Sequence, residues 1–410
     1  MTKMVRFEIK KIFSKPLNKI ALILIAVVVC IESHLAISSM LYVDENGDTI
    51  TGIFAAQPLR EAKMQWCGYI TEDILSRIVE ENAHISNSDE YLSDDVKENN
   101  KAFSKMQGFY DIRSIINRAF CSFRQYDYYR IDSISGDEVR SFYERRISYL
   151  VEWLNSDEAI NHFSDEEKLF LIGQYNKLET PLYYEYFDGW DVLLERAPAI
   201  IMLLVLVTGF LVSGIFSDEF QLKADSIFFS TRLGRTKAVS AKIGAGFIMI
   251  SAIYWITILI YSGIVLTSLG FDGAECAIQI GSSNWKSFYN ITYFQDYLLT
   301  VFGGYIGSLF ILTFSMFVSA KSRSSVLAVT IPFILIFIPS FLSGISALSE
   351  VLGLLPDQLL QMCKTVQLFN TYQIGNKVVG AVPIIVITYL FLYCILVPGL
   401  YRVYKNIEVK

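Results

Sequence analysis

Of the chain's 410 residues, 53% are hydrophobic, 14% aromatic and 19% charged, and the formal net charge is −6. Soluble domains carry about 25% charged and about 45–50% apolar residues, so this balance points away from an ordinary cytosolic enzyme. The apolar residues are bunched into runs long enough to cross a bilayer, roughly 17–25 residues each, rather than spread at a period of 2 or 3.6.

Residues 1–19 form a basic leader. Val5, Ile9, Ile12 and Phe13 fall at i, i+4, i+7 and i+8, with Arg6, Lys10 and Lys11 elsewhere and Pro16 ending the pattern. This spacing predicts an amphipathic helix in the inner membrane interface, its apolar face among acyl chains and its cations at lipid phosphates. The first apolar run, 20–41, carries Glu32 and His34 within a turn or two of its outer end, where water reaches them without any function; a proton relay is the sharper alternative. A cleaved signal peptide is the rival reading, because Ala36, Ser38 and Ser39 are small residues near the end of the run. Its length and that of the leader favour a retained anchor.

The segment 42–197 is long enough for one core. Helical spacing covers 57–83, 94–123 and 137–154, and Ser135 with Glu138 and Ser164 with Glu167 have the spacing of capping boxes. Tyr183, Tyr184, Tyr186, Phe187 and Trp190 then cluster next to the second span. They read as an interfacial belt or as the seam where the domain sits on the membrane; a ligand-binding aromatic surface is the alternative.

Five more spans follow at 198–216, 243–266, 298–320, 326–342 and 382–401, with no ionisable side chains other than Tyr and Cys. Each mid-membrane charge would cost roughly 2.5–3.5 kcal/mol on insertion, which explains their exclusion. These runs are apolar on every face, so a β-barrel of alternating strands is ruled out. Gly303 and Gly307, beside Gly304, would allow close approach of another helix, in this chain or in a second one. In 343–381, Leu348, Val351, Leu352, Leu355, Leu359 and Met362 suit short helices dipping into or lying on the outer leaflet, where they would close a pathway or serve packing. The expected fold class is an all-α integral membrane protein: six transmembrane helices with a largely helical extracytoplasmic domain between the first and second.

Orientation follows from Lys and Arg in the short connections. With the N-terminus inside, the inner segments hold 16 basic residues in 59 positions, against three in the 70 positions of the two short outer connections. Both termini are therefore expected on the cytoplasmic side of the cell membrane. The inner segments carry a net +11 and the segment 42–197 a net −14. The basic residues stand where topology places them, and nothing suggests a nucleic-acid partner.

No Gly is followed by Lys anywhere, so the phosphate-binding loop is missing and the chain should not hydrolyse a nucleotide by that mechanism. Three histidines without His-Glu-x-x-His or Cys-x-x-Cys spacing make zinc an unsupported reading, and no nucleophile stands in a Gly-x-Ser-x-Gly context. No cofactor is expected in this chain. Cys30 and Cys394 fall inside spans as small apolar residues, while Cys67 and Cys121 would pair only if the fold brings them together in an oxidising compartment.

The inner loop 217–242 is the most informative stretch. Asp218 and Glu219 suit a helix N-terminus, Ile227, Phe228 and Phe229 follow, and a Gly234 turn is flanked by Arg232 and Arg235. Topology alone needs the cations but not the aromatic pair, which is better explained by a partner surface or insertion at the inner interface. Here the chain resembles type 2 ABC transporter permeases, especially bacterial ones associated with export of, or resistance to, peptides and antibiotics. The resemblance rests on Phe216-Ser217-Asp218-Glu219, on Ser230 to Lys237, and on Ala241-Lys242 entering a span. The order of parts is similar along nearly the whole chain, whereas the segment 42–197 matches mainly at Tyr186-Phe187-Asp188-Gly189-Trp190.

The resemblance implies a permease half-transporter that pairs with a second permease, the same or related, and with separate cytoplasmic ATP-binding subunits. Residues 219–229 would be a coupling helix docking on the ATPase, with Asp218, Glu219, Phe228, Phe229, Arg232 and Arg235 on the coupling surface. A mechanotransmission or macrolide-exporter permease is the nearest rival, but it has four spans. A ligand-sensing membrane protein and a membrane-embedded enzyme are the readings from other classes. The former would normally carry a cytoplasmic signalling domain, and the longest inner segment here has 26 residues. The acidic segment 42–197 would favour cationic peptides by electrostatics.

Overall fold

A computed structural model describes residues 2–160, 162–231 and 233–407, the side chain of Ser346 excepted. It is 70% helical, and six of its helices are long and apolar enough to cross a membrane. The fold is therefore that of a mostly helical, multi-pass membrane protein.

The leader forms α1 (Thr2–Ser14) and the first apolar run α2 (Pro16–Ser38). Pro16 opens α2 and holds Lys15 at an extended ψ of 124°, so the chain bends between the two helices. One stripe of α2 is buried, through Ala21, Ile25, Val29, Ser33 and Ala36, while Ile20, Ile23, Val27 and Ile31 are exposed. The apolar stripe of α1 meets the bundle at its C-terminal end. Ile12 is buried and Phe13 packs on the core, and Glu8 on the same helix reaches Lys242. The stripe thus packs on protein through Ile12 and Phe13, with Val5 and Ile9 half-buried, and the exposed residues of α1 include Lys3, Arg6, Phe7 and Lys10.

Between α2 and the next span, the chain forms the hairpin β1 (Leu41–Val43) with β2 (Thr49–Thr51), then α3 (Ile53–Met64). The continuous helix expected over 57–83 is broken here. Gly68 takes a φ of 137° and enters β3 (Gly68–Tyr69), after which α4 (Glu72–Ser86) restarts with Thr71 as its N-cap. The expected helix over 94–123 divides into α5 (Val96–Met106) and α6 (Tyr110–Phe120) around a 3-10 turn. Gly108 in that turn lies so near the Ala62 carbonyl that a Cβ would sit 2.7 Å from it. α7 (Phe142–Leu154) and α8 (Asp165–Tyr175) complete the segment; Ser164 and Glu167 form a full capping box, while Ser135 and Glu138 open only a 3-10 turn. β4 (Tyr183–Tyr184) returns to pair antiparallel with β3.

The bundle is built on α9 (Asp188–Gln221), of whose apolar window 72% is buried, against 22% for α2. After a short α10 (Asp225–Ser230) come α11 (Lys237–Leu269), α12 (Tyr293–Ser322) and α13 (Ser325–Leu342). The segment expected on the outer leaflet forms three single-turn helices, α14 (Ser349–Leu352), α15 (Asp357–Leu360) and α16 (Met362–Thr365). A hairpin of β5 (Thr371–Ile374) and β6 (Lys377–Gly380) follows, with Gly375 at a φ of 62° in its two-residue turn. The last span is α17 (Ala381–Lys405). Gly303 and Gly307 serve packing within the chain: a Cβ on Gly307 would lie 2.9 Å from Leu360 and 3.0 Å from Leu359. One continuous core runs from Ile112, Ile115 and Ile116 of α6 through Phe187 and Trp190 into the bundle. The bundle has a loop end, which carries α1 and α10, and an opposite, domain end.

Candidate functional site

The residues expected on a coupling surface converge at the loop end, but most of them turn inward. α9 runs past the expected end of its span and carries Asp218 and Glu219 on its last turn, where they are 8% and 6% exposed. Lys15 Nζ donates to Asp218 Oδ2 at 2.7 Å. Glu219 is a hub. Its Oε1 accepts from Lys11 and Lys242, both at 2.8 Å, and its Oε2 from the Tyr404 hydroxyl at 3.3 Å. Lys242, fully buried near the start of α11, also donates to the Ile215 carbonyl at 2.7 Å and to Glu8 at 3.3 Å. Three negative and three positive groups, with the Tyr404 hydroxyl, thereby join α1, α9, α11 and α17. Carboxylates of this kind near a helix C-terminus work against the macrodipole, and the three ammonium groups offset that. For Lys11, burial opposes the charge, yet Glu219 beside it holds the ammonium above its ordinary pKa.

α10 lies against this cluster. Lys223, at a φ of 54°, ends α9 and turns the chain. Phe229 is 5% exposed and packs on Tyr404 and Phe220, with ring centroids 5.3 and 5.9 Å apart. Phe228 is half-buried, with its ring 5.4 Å from Lys242 Nζ. The aromatic pair is therefore the inner face of α10, contrary to the exposed position expected for it. A single turn and a half of helix has one protein-facing side, and here Phe229 takes it while Ile227 (72%) is exposed, as are Leu222 (71%) before the helix and Leu233 (41%) after it. Arg235 caps the end of α17 by donating to the Lys405 and Ile407 carbonyls, each at 2.9 Å, and its guanidinium lies 4.9 Å from the Phe229 ring. Gly234 makes the expected turn; a Cβ there would sit 1.9 Å from the Phe228 carbonyl oxygen. Arg232 lies outside the described residues.

At the domain end the aromatic cluster is a joint. Tyr184, Tyr186 and Trp190 are 0%, 0% and 5% exposed. The Tyr184 hydroxyl donates to Asp111 at 3.0 Å and Trp190 Nε1 to the Phe271 carbonyl at 3.1 Å. Tyr183 is half-buried, edge-on to Tyr69, with its hydroxyl 3.5 Å from Cys67. Of the two readings, the cluster's burial supports the seam and leaves little aromatic surface for a ligand. Both Cys67 and Cys121 are free thiols.

Sequence reasoning missed the ion cluster within that joint. Lys63 of α3 is 4% exposed, and its Nζ lies 2.7 Å from Asp111 of α6 and 2.7 Å from Asp188 at the start of α9. Burial disfavours the Lys63 charge, but the two carboxylates outweigh it and raise the ammonium's pKa above its ordinary value. Nothing in the spacing signals this, because Lys63 and Asp188 are 125 positions apart. No protein-family model matches the chain, and no curated protein matches it.

Proposed function

We propose that this chain is the membrane permease subunit of an ATP-driven exporter of the type 2 ABC class. It would work with a second permease, the same or related, and with cytoplasmic ATP-binding subunits that supply the energy. In this reading the loop end and both termini face the cytoplasm of a bacterial cell, the segment 42–197 is extracytoplasmic, and the exposed cations of α1 meet membrane lipid. The 16 basic residues of the inner segments, against three in the short outer ones, support that orientation. The net −14 of the segment 42–197 favours cationic cargo such as basic peptides.

The observation that carries the reading is the linkage at the loop end. α10 presents Ile227 outward, with Leu222 before it and Leu233 after it also exposed, while its inner Phe229 rests on Tyr404, which bonds Glu219, which bonds Lys242. An ATPase gripping the outer face would therefore displace α9, α11 and α17 together, which is what alternating access requires of a coupling helix. The docking role thus falls to Leu222 and Ile227. Asp218, Glu219, Phe228, Phe229 and Arg235 take the role of transmission behind them. Six apolar helices weigh against the four-span mechanotransmission arrangement.

The test is purification from membranes with the products of the neighbouring genes. A stoichiometric ATP-binding subunit should co-elute and should be lost from the Leu222→Asp/Ile227→Asp variant, while the variant stays monodisperse. A homogeneous wild-type protein that elutes without any ATPase would overturn the reading and shift attention to a ligand-sensing role.

A further inference from the structure

Between α2, the first turns of α9 and α12, and the segment 358–368 lies a cavity of ≈ 810 Å³. That volume is in the range of sites for drug-sized molecules. Its wall is acidic. Glu32, Asp191, Glu195 and Asp296 supply four carboxyl groups against two cations, Arg196 and Lys364. Arg196 lies 3.7 Å from Glu32, and Tyr293 donates to Asp191 at 2.9 Å. Asp296 is set apart: it is 1% exposed, and neither of its carboxylate oxygens has a hydrogen-bond partner among the described residues.

A buried carboxylate without a counter-charge is among the most expensive groups a fold can hold. The other buried atom on this wall without any partner is Asn284 Oδ1, and Glu32 Oε2 accepts no hydrogen bond although Arg196 stands 3.7 Å from it; both are acceptors as well. A wall whose buried atoms without a hydrogen bond all accept, and whose charge is in negative surplus, fits a ligand that donates several hydrogen bonds and is positive. The acidic groups are spread along the wall: among the described residues, no three His, Cys, Asp or Glu side chains gather closely enough to hold a metal ion. A bare divalent cation needs six or more converging oxygens, so both the volume and this spread favour an organic cation.

We propose that this cavity binds an aliphatic primary ammonium group, with Asp296 as its buried counter-charge, Asn284 and Glu32 as further acceptors, and Glu195 attracting it at the rim. The group can belong to a free polyamine or to the lysine side chain of a peptide. The site stands without the permease reading; only the statement that its occupant is the cargo rests on that reading.

Binding is measured on the purified full-length chain in lipid nanodiscs, without any ATPase, by calorimetric titration with spermidine and, separately, with trilysine. Saturable binding of one probe and not the other identifies the source, and binding of both assigns the ammonium alone as the recognised group. Asp296→Asn, which keeps the side chain's shape, is expected to weaken binding at least about tenfold. Ala199→Trp, at an exposed position on the cavity wall, is expected to abolish it by filling the space, and it serves even if the buried variant fails to fold. Three results would overturn the proposal: no saturable binding of either probe, unchanged affinity in the folded variants, or displacement of the amine by magnesium at equal charge concentration.

Discussion

Replacing Glu219 by Ala tests whether the loop end is held together by one buried anion. Glu219 accepts from Lys11, Lys242 and Tyr404. Its loss leaves the Lys242 ammonium with 0% side-chain exposure and only Glu8, at 3.3 Å, as a charged partner. Lys11 is 27% exposed and reaches water when freed. Removing one side of a buried ion pair costs about 3–5 kcal/mol, and the surviving Glu8 contact places the expected loss near the lower bound, about 3 kcal/mol. Lys242→Met should cost less, about 1–2 kcal/mol, because Glu219 keeps Lys11 and Tyr404 as donors. The double variant Glu219→Leu/Lys242→Met removes both charges, and apolar replacements of buried pairs are often neutral, so it should be more stable than Glu219→Ala by at least about 1 kcal/mol. The assay is reversible unfolding in mixed micelles followed by tryptophan fluorescence. Glu219→Ala within about 0.5 kcal/mol of the parent, or a double variant as unstable as the two losses added, would refute the reasoning.

Three further outcomes are expected. Lys63→Met should destabilise the protein by about 3–5 kcal/mol by leaving Asp111 and Asp188 without their shared cation. Because the raised pKa of Lys63 means that its stabilisation is complete below the unfolded value of about 10.4, the gap between parent and variant should stay constant to about pH 10 and narrow above it. A gap that already varies between pH 7 and pH 9 would contradict this. The Asp357 carboxyl is pushed up to about 6 by burial, against which Gln358 and Gln361 donate to its Oδ2 at 2.9 and 3.2 Å. A raised carboxyl pKa means that the folded state holds the proton more tightly, so stability should fall as pH rises from about 4 to 6, and Asp357→Asn should gain about 1–2 kcal/mol at pH 7.5 but nothing at pH 3.5. A flat difference across that range in urea or detergent titrations would be the contrary result. Gly307→Leu should cost about 1–3 kcal/mol by driving its side chain into Leu359 and Leu360, read as a lowered midpoint of thermal unfolding.

The spans were legible because the bilayer imposes a one-dimensional constraint: about 20 consecutive apolar residues suffice to announce a crossing, and all six runs became helices. What lay beyond that constraint was harder to see. The stripe Val5, Ile9, Ile12 and Phe13 announces a helix with an apolar face, but lipid tails and protein side chains are equally apolar, so the stripe does not say that Ile12 and Phe13 pack on the bundle. Phe228 and Phe229 illustrate the same problem on a helix of six residues, where the period of 3.6 has no room to define a face. Lys242 and Lys63 read as ordinary basic residues from composition. Their burial depends on carboxylates supplied from distant elements, at Glu219, Glu8, Asp111 and Asp188. Asp296, too, sits in the first turn of its helix, where an acid is unremarkable by itself; only the fold shows that it is covered and unpaired.

The distribution of charge along α9 bears on how such a bundle can move. Between Arg196 and Asp218 the helix holds no charged residue, and this apolar stretch crosses its neighbours through small side chains. A Cβ on Gly209 would sit 2.7 Å from Pro332 of α13, and one on Gly304 of α12 would sit 2.8 Å from Ile201. Dispersion contacts at such crossings are individually weak and have little directional preference, so they tolerate a tilt. The ends are different. Asp188 is tied to Lys63, and Glu219 to Lys11 and Lys242, by charge-assisted bonds that have defined lengths and strong angular preferences. Under the proposed function, a force applied at α10 would reach the domain end through α9 as a lever pivoting on these glycine crossings. It would arrive at the first turns of α9, which carry Asp191, Glu195 and Arg196 on the wall of the acidic cavity. In the proposed exporter, this is the physical route by which an ATPase at one end changes the shape of a cation site at the other, with no need for a chain of polar contacts through the membrane.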